Sequence, residues 1–140
     1  MTTTPEDSFY WSIATLAAQA SPVTDRQAGA VLVAASGMIS VGWNVPVKRT
    51  SSYQSAAATA VARMAKSGTS TLCSVLYLMD DLTEEDAKEL CRYGIKRIYY
   101  DGESFGNATA VLTTYGTRVL PRPVPEIPVM PVGFPLAPYI

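Results

Sequence analysis

The chain contains no histidine, and that absence constrains its chemistry more than any residue it has. It has no imidazole to ligate a metal or to pass a proton near neutral pH. Cysteine is almost as scarce, with Cys73 and Cys91 the only two. Both fall in apolar stretches and read as buried free thiols rather than as a disulfide or a metal pair. Charge is thin at 16% of residues, with a net charge of -1 and a pI near 5.3. Nucleic-acid binding needs a concentrated basic face, and nothing here supplies one. No apolar run approaches the ~20 residues of a membrane span, and Met1–Asp7 lacks the basic start of a secretion signal. The expectation is a soluble protein of a reducing compartment, with no membrane partner.

What is present suits one folded domain followed by an unusual tail. Hydrophobic residues make up 48% of the 140, enough for a substantial core. So little charge also suggests that part of the surface is covered by partners. Thr4, Pro5, Glu6 and Asp7 form a helix start: a cap, a proline that fits the first turn, and acids that complement the helix dipole. Phe9, Ile13, Leu16, Ala17 and Ala20 recur at helical spacing and predict a buried stripe on a helix over 5–20. Residues 28–34 form a Val-rich run, as in a strand covered on both faces, and 38–43 return as its hairpin partner across Ala35-Ser36-Gly37. Residues 45–52 read as a loop. An alanine-rich helix over 54–66 follows, ended by Ser67-Gly68. A strand over 75–79, a helix opened by Thr83-Glu84-Glu85-Asp86 and closed by Gly94, and a strand over 95–100 come next. A short helix capped by Asn107 and a strand over 117–120 complete the order. This sequence of elements predicts a three-layer α-β-α domain over 1–120, with an antiparallel hairpin and helical crossovers between the later strands.

From Pro121 to Ile140 the composition changes to proline alternating with large apolar residues, among them Ile127, Val129, Met130, Phe134, Leu136 and Tyr139. Proline favours an extended polyproline II path over helix or ladder. Leaving so much apolar surface in water is unfavourable at ~25 cal/mol per Å². The segment reads as an arm that lies on its own domain or on a neighbouring subunit.

Four strings fall in an order with meaning: Gln27–Val33, Val41-Gly42-Trp43-Asn44, Ala65-Lys66-Ser67-Gly68, and Tyr93-Gly94-Ile95-Lys96-Arg97-Ile98-Tyr99-Tyr100. Together they resemble the cytidine/deoxycytidylate deaminase superfamily over about residues 8–120, in particular the deoxycytidylate deaminases that phages encode. That family carries H-A-E on the helix after the hairpin and P-C-x-x-C at the start of the next. Counting back from Gly68 and Gly94, the resemblance places those positions on Ser55, Ala57, Thr83 and Asp86. A zinc deaminase needs a His/Cys/Cys site to make hydroxide and a glutamate to move protons. On this reading the chain is a pseudoenzyme without metal or other cofactor.

The role expected from the resemblance is a non-catalytic structural or assembly subunit, in the setting of a phage particle or another homo-oligomer. It would be located in the host cytoplasm or the virion, with the arm joining it to copies of itself or to other structural subunits. The alternative expectation is a regulatory protein that still binds a nucleotide. In the family the residue matching Asn44 touches the nucleotide sugar, and Trp43 stands beside it as a stacking ring; alternatively Asn44 only ends a strand and begins a turn. Lys48-Arg49 could meet a phosphate or simply be solvated. Asp80, Asp81, Glu84, Glu85 and Asp86 could attract a hard cation, but acids at a helix start are already favourable without one.

Overall fold

The computed structural model describes residues 5–23, 26–47 and 53–123. Helix α1 (Pro5–Ala20) leads into a hairpin of β1 (Gly29–Val33) and β2 (Ile39–Trp43). A two-residue ladder of β3 (Val45–Pro46) and β4 (Tyr53–Gln54) precedes α2 (Ala56–Lys66). Then come β5 (Val75–Met79), α3 (Glu84–Leu90), β6 (Arg97–Tyr100), α4 (Ala108–Thr114) and β7 (Arg118–Pro121). The main sheet has the order β2-β1-β5-β6-β7. Strand β1 is antiparallel to both β2 and β5, whereas β5, β6 and β7 run parallel. Each parallel step is crossed by a helix, as parallel strands require.

The alternation of side chains along the strands divides the core in two. Ala30 and Leu32 of β1, Leu76 and Leu78 of β5 and Ile98 of β6 face α2, α3 and α4, meeting Ala57, Ala60, Met64, Leu90 and Leu112. Val31, Tyr77 and Tyr99 face the other way and meet Trp11 and Ala14 of α1. The domain is therefore the three-layer α/β arrangement expected, with a mixed rather than wholly parallel sheet.

Small residues set how closely the layers approach. A methyl group added at Gly42 would strike the carbonyl oxygen of Ala56 and come within 2.5 Å of the Ala60 nitrogen. One added at Gly29 would strike the Ala14 carbonyl and lie 2.6 Å from the Ala18 nitrogen. Both helices thus rest on glycines of the hairpin, and the alanines of α2 are what permit the contact.

Three expectations need correction. The stripe of α1 that faces the sheet is Trp11, Ala14 and Ala17, while Phe9 and Leu16 are 57% and 65% exposed. Contact at Gly29 selects the small residues and turns the bulky ones outward. The thiols are not buried: Cys73 is exposed and Cys91 half-buried. Cys73 also has a φ of 62°, in the left-handed region, and its N–H donates to the Gly94 carbonyl at 2.8 Å. Finally, residues 45–54 are not all loop and helix, because Val45 pairs with Gln54 and Pro46 with Tyr53. Two-residue strands carry no periodicity from which they could be read.

The close approach at Gly42 gives a direct test. Gly42→Ala should lower stability by about 2–3 kcal/mol, because the obstructing atoms are backbone and cannot rotate away. Urea denaturation followed by circular dichroism measures it.

Candidate active-site cleft

Two helix starts converge at one end of the sheet. Ser55 caps α2, its Oγ accepting the Ala58 N–H at 3.2 Å. Thr83 caps α3, its Oγ1 accepting the Asp86 N–H at 3.1 Å. The capping role read from Thr83 to Asp86 is the geometry observed. What brings the start of α2 into place is the turn after β2. Asn44 is fully buried. Its side-chain carbonyl accepts the Ala56 N–H at 2.8 Å, and its amide donates to the Arg26 carbonyl at 2.9 Å. Its own backbone carbonyl accepts the Ser21 hydroxyl at 2.8 Å.

Between these elements lies a cleft of about 550 Å³ lined by Arg26, Tyr53, Gln54, Ser55, Ala58, Asp80, Thr83, Glu85, Asp86 and Glu89. Three of the four positions picked out from sequence, Ser55, Thr83 and Asp86, therefore share one wall. Ala57, the fourth, is buried behind them in the core. Asn44 and Trp43 are not among the lining residues. Asn44 spends its amide on the backbone, and the Trp43 ring lies under the Arg63 guanidinium, 4.3 Å from its centroid. Lys48, Arg49 and the arm residues Ile127, Val129, Met130, Phe134, Leu136 and Tyr139 lie outside the described residues.

The electrostatics of the cleft are dominated by acids. Arg26 is the only cation among its described lining residues, and it is held at 2.8 Å from Asp80 and 3.4 Å from Asp81. Among the described residues Glu85, Asp86 and Glu89 make no ion pair, and Arg26 attracts the Asp86 carboxylate only at longer range. Burial pushes the Asp86 carboxyl above the ordinary carboxylate range, while hydrogen bonds with Ser55 and Thr83 pull the other way. Two hydroxyls and one carboxyl supply neither the thiolate nor the imidazole of a His/Cys/Cys zinc site, and a single carboxylate is too few ligands for tetrahedral zinc. No group of three or more His, Cys, Asp or Glu suited to a metal occurs among the described residues.

Sequence reading missed Arg26, Tyr53, Gln54 and Glu89. Nothing local marks them, since they come together only through the β3–β4 ladder, the Arg26–Asp80 pair and the slant of α3.

No protein-family model and no curated protein matches the sequence. Solved structures do match. The chain is similar to the dCMP deaminase of cyanophage S-TIM5, at 27% identity and a TM-score of 0.72, over 85% of this chain and 99% of that one. That phage protein has also been solved with dCMP and dUMP. The deaminase/reductase of Thermotoga maritima that acts on a diaminohydroxyphosphoribosylaminopyrimidine matches at 16% identity and a TM-score of 0.66, over 81% of this chain and 35% of that one. A transfer-RNA wobble-position deaminase matches at 17% identity and a TM-score of 0.63, over 84% and 99%. The chain has the cytidine/deoxycytidylate deaminase fold. The expectation of a protein that is not an enzyme is overturned by these matches, because the structures it resembles are enzymes and the scaffold points to one. No helix among the described residues is long and apolar enough to cross a membrane.

An acid whose pKa rises on folding holds its proton more tightly in the native state. Its stabilising contribution is complete below the ordinary carboxylate pKa of about 4 and is lost as pH climbs through the native value. Stability should accordingly fall over that interval, and Asp86→Asn should flatten that part of the curve relative to the parent. Urea midpoints measured from pH 3 to pH 8 on both proteins test this.

Proposed function

We propose that the cleft binds an amino-pyrimidine nucleoside or nucleotide, with the base against Asp86. The observation that carries this reading is the convergence of Ser55, Thr83 and Asp86 in a cleft of about 550 Å³, a size suited to such a ligand. A carboxyl set between two hydroxyls can accept from an exocyclic amino group and, when protonated, donate to a ring nitrogen. The acids lining the cleft oppose a phosphate at its floor, so the base enters and any phosphate stays outward. The dCMP and dUMP complex of the similar phage deaminase supports the ligand class. A phage setting, and a place in the host cytoplasm or the virion, belong to this proposal and draw on the same similarity.

A second reading is favoured by a separate observation. Phe9 and Leu16 are seven residues apart and stand out on one side of α1. Such a pair suits self-association, and hence an assembly subunit.

Calorimetry with cytidine, dCMP and uridine tests the first reading. Heat of binding is expected for cytidine and dCMP, with uridine at least tenfold weaker because it lacks the amino group. Asp86→Asn should weaken cytidine at least tenfold. No heat with any of the three at millimolar concentration removes the proposal.

A further inference from the structure

The sheet is covered unevenly. On its second face α1 packs over β1, β2 and β5. The adjoining side of β6 and β7 carries Arg97, Tyr99, Arg118 and Leu120, paired in parallel register as Arg97 with Arg118 and Tyr99 with Leu120; Tyr99 is buried, Arg97 and Leu120 are half-buried and Arg118 is exposed. Register partners in a parallel pair point to the same side. Two arginines therefore leave adjacent strands on the same side, Arg97 with its guanidinium 3.3 Å from the Tyr99 hydroxyl, and among the described residues neither has an acidic partner. The Arg97 Nε is buried with no hydrogen-bond partner. Like charges directly opposite each other on neighbouring strands are unfavourable without a counter-charge.

We propose that residues 124–140 of the same chain fold back over this face, with Glu126 between Arg97 and Arg118. Position, length, composition and charge all favour this occupant. The chain leaves β7 on the correct side: the Arg122 guanidinium lies 4.6 Å from the centre of the Trp11 ring, and the Arg122 N–H donates to the Tyr100 carbonyl at 2.8 Å. Seventeen residues on a polyproline II path reach about 50 Å at ~3.1 Å each. The two strands to be covered span only ~10 Å at ~4.8 Å apiece. Prolines at 125, 128, 131, 135 and 138 interrupt any ladder on the free edge of β7, so the segment is suited to lie on the face rather than extend the sheet. Glu126 is the only charged residue of the segment, and it complements the arginine pair. Attachment a few residues away gives the segment an effective concentration in the millimolar range, which favours its own domain over a neighbour.

The test uses the full chain with the photo-reactive p-benzoylphenylalanine in place of Phe134, prepared as an equal mixture of ¹⁴N- and ¹⁵N-labelled protein. Irradiation followed by mass spectrometry should give adducts within one isotope label, mapping to residues 97–101, 118–122 or the α1 residues beside them. Glu126→Arg should lower their yield at least fivefold, and adding Arg97→Glu to that variant should recover it. Adducts that join the two labels would overturn the proposal in favour of an arm exchanged between copies. Adducts elsewhere, or a yield indifferent to both charge changes, would also overturn it.

Discussion

The carboxamide of Asn44 is the contact on which the rest of the site depends. It is a buried polar group placed where β2 ends, and it takes the N–H of Ala56 at one atom and the carbonyl of Arg26 at the other. The first N–H groups of any helix lack partners within the helix. Here one of them is satisfied by a side chain from the sheet, which fixes where α2 starts. Gly42, two residues earlier, fixes how close α2 lies, because the Ala56 carbonyl occupies the space that any side chain there would need. Depth and position of the helix start are thus set by neighbouring residues of one strand.

The cleft follows from that placement. Ser55 precedes Ala56 directly and so is delivered to the cleft wall, while Thr83 and Asp86 arrive on the start of α3 after β5. The second bond of Asn44, to the Arg26 carbonyl, steadies the segment that carries Arg26 toward Asp80 and Asp81. The result is a half-buried carboxyl flanked by hydroxyls, in surroundings where desolvation makes the proton harder to remove. The polar side-chain atoms that these two helix starts bring to the cleft are oxygen atoms.

Much of the architecture was legible because the signals are local. The Val-rich run before Gly37, the alanine-rich helix with its Ser67-Gly68 stop, and the Thr83 cap with three acids each announce an element without reference to anything distant. Asn44 was legible as the end of a strand but not as a clamp, since its partners lie 12 and 18 residues away in sequence. The stripe of α1 was misjudged because hydrophobicity favours Phe9 and Leu16, whereas the geometry at Gly29 rewards the smallest residues. Ser55, Thr83 and Asp86 were found through the spacing of a resembled family. Arg26, Tyr53, Gln54 and Glu89 come from separate elements, and no window along the chain contains their association. The inference that the protein is no enzyme drew on missing side-chain types alone and gave the scaffold too little weight.

The central claim is that Asn44 positions the cleft, and hydrogen exchange on Asn44→Ala measures it most directly. The account predicts that the Ala56 amide loses most of its protection, that exchange quickens at Arg26 and at the start of α2, and that global stability falls by about 2–3 kcal/mol for a buried donor left unpaired. A variant that keeps the Ala56 amide protected, with unchanged stability and unchanged ligand heat, would contradict it.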